Sequence, residues 1–184
     1  ENPVELDPIE IDPPTMSVVF EASTSPLVGR DGDIVGGRQL KERLMTEREN
    51  NVTMRIEELP DKTGVEVAGR GILHLSVLME QMRREGFEFQ VGRPRVLFQT
   101  DDNGQRLEPI EEVTIDVDEE YSGVVVEKLT SRRAELKDMR PAGAGKQRLV
   151  FHAPSRALIG YIGEFLTDTR GTGVLNRIFH AYEP

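Results

Sequence analysis

No cysteine and no tryptophan occur in the chain, and aromatic residues make up only 5% of it. Without thiols there are no disulfides, no thiolate metal sites and no cysteine nucleophile, which fits a reducing cytoplasm. Long apolar runs are missing too. Val124-Val125-Val126 is typical, whereas a membrane-spanning helix needs roughly 20 apolar residues. No basic-then-apolar leader opens the chain. It begins Glu1-Asn2-Pro3 rather than with Met, which predicts a segment of a longer protein. Positive charge is not in excess either. Lys and Arg number 23 against 33 Asp and Glu, a net charge of −10, which argues against a general nucleic-acid coat.

What is present is an ordinary globular mixture, 37% apolar and 30% charged over 184 residues. That length allows two domains of roughly 80–100 residues. The charge is unevenly spread. Residues 101–129 hold ten acids and two bases, whereas residues 130–180 hold nine bases and four acids. A locally basic segment thus lies within an acidic protein, and solvated surface is its default reading.

Residues 1–15 carry four prolines and are expected to form an extended acidic linker. Met16 to Ala22 alternates as a strand. Leu40, Leu44 and Met45 stripe a helix over 38–50, and Val52, Met54 and Ile56 alternate in a second strand. Pro60-Asp-Lys-Thr-Gly64 has hairpin chemistry before a strand over 65–69. Leu75, Leu78, Met79 and Met82 mark a helix stopped by Gly86. Phe87, Phe89 and Val91 alternate again, and Val96 and Phe98 extend that strand. The order is β-α-β-β-α-β, the ferredoxin-like arrangement.

After a linker over 100–109 the order repeats. Val113, Ile115 and Val117 predict a strand, and Tyr121 to about Arg132 a helix. A hairpin follows, turning at residues 141–145. Ser155 is a candidate N-cap for a helix with Leu158, Ile162, Phe165 and Leu166 inward. The last strand covers 174–182. The fold class is therefore α+β: two tandem ferredoxin-like βαββαβ modules, 16–99 and 110–184, each an antiparallel sheet with two helices on one face.

Catalytic patterns are weak. Gly143-Ala-Gly-Lys146 resembles the end of a phosphate loop, but Arg140 and Gln147 stand where that loop needs Gly and a hydroxyl residue. The three histidines, His74, His152 and His180, are expected to lie apart. His74 reads as a packing or capping residue, and no metal site is assigned. No G-x-S-x-G elbow and no acid–base pair in a shaped cleft is indicated.

The basic segment carries the candidate site: Lys146, Arg148, Arg156 and Arg170, with Arg132 and Arg133 as secondary positions. Arg132 and Arg133 close a helix, where the macrodipole favours cations. Arg156 falls in a helical first turn, where a cation is disfavoured unless an anion binds there. Thr169-Arg-Gly-Thr-Gly173 can offer N–H groups and a guanidinium to phosphates. Few aromatics are interleaved, so backbone contact is expected rather than base stacking. The acidic 101–129 stretch is expected to face away from RNA.

Two long motifs then carry a resemblance. Gly69-Arg-Gly-Ile-Leu-His-Leu-Ser-Val-Leu-Met-Glu-Gln-Met-Arg-Arg-Glu85, followed by Val91-Gly-Arg-Pro-Arg-Val96, resembles domain III of elongation factor G-like translational GTPases. Ser155-Arg-Ala-Leu-Ile-Gly-Tyr161 with Thr167-Asp-Thr-Arg-Gly-Thr-Gly173 resembles their domain V. The detail is most similar to the BipA (TypA) family, in Met82-Arg-Arg-Glu-Gly-Phe87 and in Pro154 to Gly160. Only the short 100–109 linker separates the modules, where elongation factor G inserts a further domain.

The resemblance implies the noncatalytic, ribosome-binding and coupling portion of a ribosome-associated GTPase active under stress and in large-subunit assembly. It implies that GTP and magnesium belong to a GTPase domain outside this chain, and that no cofactor or catalytic residue lies within it. The implied partners are large-subunit RNA and proteins for the second module, a small-subunit protein for the first, and the parent's own GTPase domain. A cytoplasmic monomer without membrane contact is expected. The alternative is a tandem of ACT-like modules that bind small regulatory molecules, since these share the same element order.

Overall fold

The computed structural model describes residues 12–184, so the linker expected over 1–15 lies mostly outside the described residues. The chain divides into two units between Arg93 and Pro94.

In the first unit, β1 (Met16–Ala22) is followed by α1 (Gly37–Asn50), β2 (Arg55–Glu58), β3 (Val65–Gly69), α2 (Ile72–Arg84) and β4 (Phe89–Val91). The antiparallel sheet runs β2-β3-β1-β4. Met16, Val18 and Phe20 alternate onto one face and are at most 1% exposed. Leu40 and Leu44 of α1 and Leu75, Leu78 and Met82 of α2 are buried with them. The 2.0 period of the strand and the 3.6 period of the helices thus supply one core.

Helix α2 ends as its sequence requires. Gly86 takes a left-handed φ of +96°, its N–H bonds to the Arg83 carbonyl, and the Phe87 N–H reaches back to Met82. This Schellman closure satisfies the last carbonyls, and Arg83 and Arg84 complement the helix dipole. Val52 does not belong to a strand and is 82% exposed. The Asn51 carboxamide oxygen accepts from the N–H and hydroxyl of Thr53, a local turn that delays β2 to Arg55.

The second unit holds two short strands, β5 (Arg95–Val96) and β6 (Gln99–Thr100), then β7 (Arg106–Asp118), α3 (Glu119–Ser131), β8 (Glu135–Gly143) and β9 (Lys146–Pro154). A 3-10 turn (Ser155–Leu158), α4 (Tyr161–Asp168) and β10 (Val174–Glu183) complete it. The sheet runs β10-β7-β9-β8, and β6 pairs with the start of β7. Val113, Ile115, Val117, Leu149 and Phe151 face Val125, Leu129, Leu158, Tyr161 and Phe165 in the core.

Residues 100–109 are a hairpin and strand rather than a linker. The Asp101 carboxylate accepts from the Asn103 and Gln105 N–H groups, and Gly104 at φ +80° closes the turn into β7. The helix expected from Ser155 is also broken. Gly160 is left-handed at φ +74°, and Ser155 lies buried with its hydroxyl unpaired instead of capping. Restarting the helix at Tyr161 turns Tyr161 and Phe165 inward and leaves Ile162 and Leu166 about half exposed.

Candidate nucleic-acid interface

The six basic residues fall at two ends of the second unit. Strand β7 sets the distance. Lys146 pairs with Asp118 at one end, and Arg156 reaches Glu108 near the other. Ten residues of strand separate Glu108 from Asp118, roughly 30 Å.

Most of these cations already hold a carboxylate. Arg156 makes a two-pronged contact to Glu108 at 2.6 and 3.2 Å. Arg148 does the same to Asp116 at 2.8 and 3.0 Å, and the Lys146 ammonium lies 3.2 Å from Asp118. These bonds hold the Asp116 carboxyl below its usual range and push the Arg148 and Arg156 guanidiniums higher. The acids of 101–129 therefore do not face away from the basic residues. The antiparallel register of β7 and β9 sets Asp116 opposite Arg148 and Asp118 opposite Lys146, so the two charge runs neutralise each other.

Two sequence arguments change as a result. Arg156 stands in a four-residue 3-10 turn, too short to generate the dipole conflict inferred for it, and Glu108 answers its charge. In the Thr169–Gly173 loop, the N–H groups and hydroxyls serve the fold. Thr169 Oγ1 donates to the Phe165 carbonyl and accepts from the Gly173 N–H, and the Gly171 N–H bonds to Leu166.

Arg132 is structural. Its guanidinium donates to the carbonyls of Ala157 and Ile159 at 2.8 and 3.2 Å and to Glu164 at 2.9 Å. It also lies 5.3 Å from the centre of the Tyr161 ring. Together with the Lys128–Asp168 pair at 2.7 Å, these contacts align α3 and α4 in opposite directions.

Arg133 and Arg170 differ from the rest. Both are exposed, and neither has an ion pair or side-chain hydrogen bond among the described residues. Both occupy the residue after a helix cap in a left-handed conformation, with φ +68° and +51°. The closures match. Arg133 N–H bonds to Thr130 and Ala134 N–H to Leu129, while Arg170 N–H bonds to Thr167 and Gly171 N–H to Leu166. Glycine is the usual residue there, because a Cβ in the left-handed region costs roughly 1–2 kcal/mol. Sequence alone could not reveal this: no glycine marks the end of α3, and at the end of α4 Gly171 stands one residue beyond the position that Arg170 occupies. Because α3 and α4 are antiparallel, the two arginines stand at opposite ends of the helix pair.

Of the three histidines, His74 takes one of its two expected roles and the other two depart from expectation. His74 is a cap: its Nδ1 accepts the Arg70 N–H at 3.3 Å, and its Nε2 lies 3.3 Å from the Thr53 hydroxyl. His152 and His180, expected to be apart, have ring centres 4.0 Å from each other. Their strands do flank β7 without adjoining, but both side chains rise from the same sheet face and meet above Glu112. No helix among the described residues is long and apolar enough to cross a membrane.

A family model described as the elongation factor G C-terminus matches residues 105–184. The chain is also 48% identical over 183 residues to a large ribosomal subunit assembly factor, BipA, of Haemophilus influenzae, covering 99% of this chain. The protein of the same description from Escherichia coli K12 is 46% identical over 183 residues, all of this chain, and that of Bacillus subtilis 46% over 179 residues. The chain spans about 30% of the length of these relatives.

Proposed function

Since the chain belongs to the BipA family, as a segment about 30% of its relatives' length, we propose that it is the noncatalytic, ribosome-binding and coupling part of a ribosome-associated GTPase that assists large-subunit assembly. Nucleotide, magnesium and hydrolysis belong to parts of the parent outside this chain. Residues 16–93 act as the domain III-like module, toward a small-subunit protein and the parent's GTPase domain. Residues 94–184 act as the domain V-like module, toward large-subunit RNA and proteins. The setting is the cytoplasm, and the working unit is a monomer. The whole-chain similarity favours this over ACT-like ligand binding, because the shared element order alone carries no function.

The observation that carries the RNA contact is the placement of Arg133 and Arg170. A left-handed arginine is strained where glycine would relieve the strain, so both positions trade local stability for a free guanidinium. The helix C-terminus offsets part of that cost by attracting the cation. Arg133 and Arg170 are the phosphate contacts at the two ends of the α3–α4 face. Lys146 and Arg148 lie at the Arg170 end and Arg156 at the Arg133 end. The cations of these pairs are solvent-accessible, so water screens the pairs and they can be exchanged for phosphate. Arg132 is reserved for the fold.

The test is Arg133→Gly and Arg170→Gly, with large-subunit binding measured across salt. Each variant is expected to be at least as stable as the parent chain in urea. Each is also expected to bind large subunits more weakly, with the log-affinity against log-salt slope flattened by slightly under one unit per lost contact. Unchanged affinity and slope in both variants would remove the site. Phosphate release from GTP by the purified chain, surviving repurification, would overturn the noncatalytic reading.

A further inference from the structure

The sheet of the second unit has two faces. Val113, Ile115 and Val117 of β7 point into the helix-covered core, so Glu112, the residue before Val113, points to the open face. In register with Glu112 stand His152 on β9 and Ile178 on β10. The pairing of β10 with β7 then slips between Phe179 and Ala181. That bulge leaves His180 as the extra residue and re-aims its side chain. The two imidazoles come together above Glu112, with ring centres 4.0 Å apart and planes inclined by 37°.

The donor atoms converge closely. His152 Nε2 lies 3.4 Å from Glu112 Oε2, and one ligand atom from each of the three residues lies within 4.8 Å of the others. A charge-assisted N–H···O bond is shorter, about 2.7–2.9 Å. A tetrahedral zinc ion, with bonds of about 2.0–2.1 Å to nitrogen and oxygen, holds neighbouring ligand atoms roughly 3.4 Å apart. The His152–Glu112 spacing is thus an edge of such a tetrahedron. Two imidazoles and a carboxylate suit zinc and its transition-metal neighbours, whereas magnesium and calcium favour all-oxygen sites. Without cysteine in the chain, no thiolate competes for the ion. His180 is exposed, so the ion has an open approach.

We propose that Glu112, His152 and His180 form a zinc site. The Glu112 carboxylate, Nε2 of His152 and a ring nitrogen of His180 are the three protein ligands, and water or a donor from a binding partner takes the fourth position. The bound ion links β9, β7 and the edge strand β10 across one face of the sheet, tying down the strand that no other strand covers on its outer side.

The experiment uses the untagged 184-residue chain with Zn2+ as titrant and Co2+ as spectroscopic probe. One equivalent should bind, and the Co2+ form should show the intense visible absorption of a low-coordinate site. Loss of an outer partner of a metal ligand alone costs about 10–100-fold in affinity, so His152→Ala, His180→Ala and Glu112→Gln should each cost at least that. His74→Ala should leave the affinity unchanged. In the unsubstituted chain, Zn2+ should shift the ring resonances of His152 and His180 and leave those of His74 in place, a readout that stands even where a variant fails to fold. Absence of stoichiometric Zn2+ binding, equal affinity in the ligand variants, or shifts confined to His74 would overturn the proposal. The outcome is independent of ribosome binding.

Discussion

Arg177 donates through Nε and Nη2 to the two carboxylate oxygens of Glu111, at 2.9 and 2.7 Å, on the helix-covered face of the sheet. Glu111 is only 6% exposed and Arg177 is partly buried, so the carboxylate depends on Arg177 to balance its charge. Breaking such a pair leaves one ion unpaired and costs about 3–5 kcal/mol, whereas replacing both partners by apolar residues is often neutral. Glu111→Ala or Arg177→Ala should therefore lower the urea midpoint strongly, and Glu111→Leu with Arg177→Met should recover most of the loss. A double variant as unstable as the two single losses added together would sink this account.

Tyr161 is 1% exposed, and its hydroxyl has no hydrogen-bond partner. Burial pushes that hydroxyl up to about 12, so it stays neutral at any working pH. A buried hydroxyl without a partner is a net cost of roughly 1–3 kcal/mol. Tyr161→Phe keeps the ring beneath Arg132 and removes the cost, so stability should hold or rise by about 1 kcal/mol in urea unfolding. A clear loss of stability would mean that the hydroxyl has a role the geometry does not give it.

Gly173 is fixed by space and not by backbone angle. A Cβ there would lie 2.5 Å from Phe165 Cζ and 2.9 Å from Thr169 Oγ1. Phe165 is 1% exposed and has nowhere to retreat. Gly173→Ala should destabilise by about 1–3 kcal/mol through overpacking, in contrast to the glycine substitutions at Arg133 and Arg170. Circular-dichroism melts of the three variants compare the directions, and a neutral Gly173→Ala would contradict the crowding.

His74 links pH to the first unit. Burial first, and then the Arg70 charge, hold its imidazole below the ordinary 6.5. With Nδ1 accepting the Arg70 N–H, protonation would set two donors against each other. On acidification the unfolded chain takes up this proton first. The His74 contribution to stability is therefore complete above about pH 6.5 and is lost as pH falls through the lower folded-state value. Urea midpoints from pH 7.5 to 5 should fall less steeply in His74→Gln than in the parent chain. An identical slope would assign the acid sensitivity to other groups.

The sequence made the elements legible wherever one period dominated. Val18 and Phe20, the Leu75–Met82 stripe, and Val113 to Val117 lie where their spacing put them, because burial rewards a 2.0 or 3.6 repeat regardless of what it packs against. Boundaries set by local hydrogen bonds were harder to read. Asn51 held back β2, Asp101 folded the supposed linker into a hairpin, and Gly160 split the last helix. Each is a choice between competing short-range bonds that composition does not rank.

For the candidate surface, the order of residues was enough to show that basic side chains gather after residue 130 and that two six-element modules carry the family motifs. Which of those cations are free was set by strand pairing and helix packing. Pairing β7 with β9 brought Asp116 and Asp118 to Arg148 and Lys146 from about 30 positions away. Packing α3 on α4 committed Arg132, and the helix closures left Arg133 and Arg170 strained and unpaired. The same sheet register brought His152 and His180 together over Glu112. Coulomb attraction and metal ligation act over a few ångströms of space, and chain separation says nothing about that distance until the strands have paired.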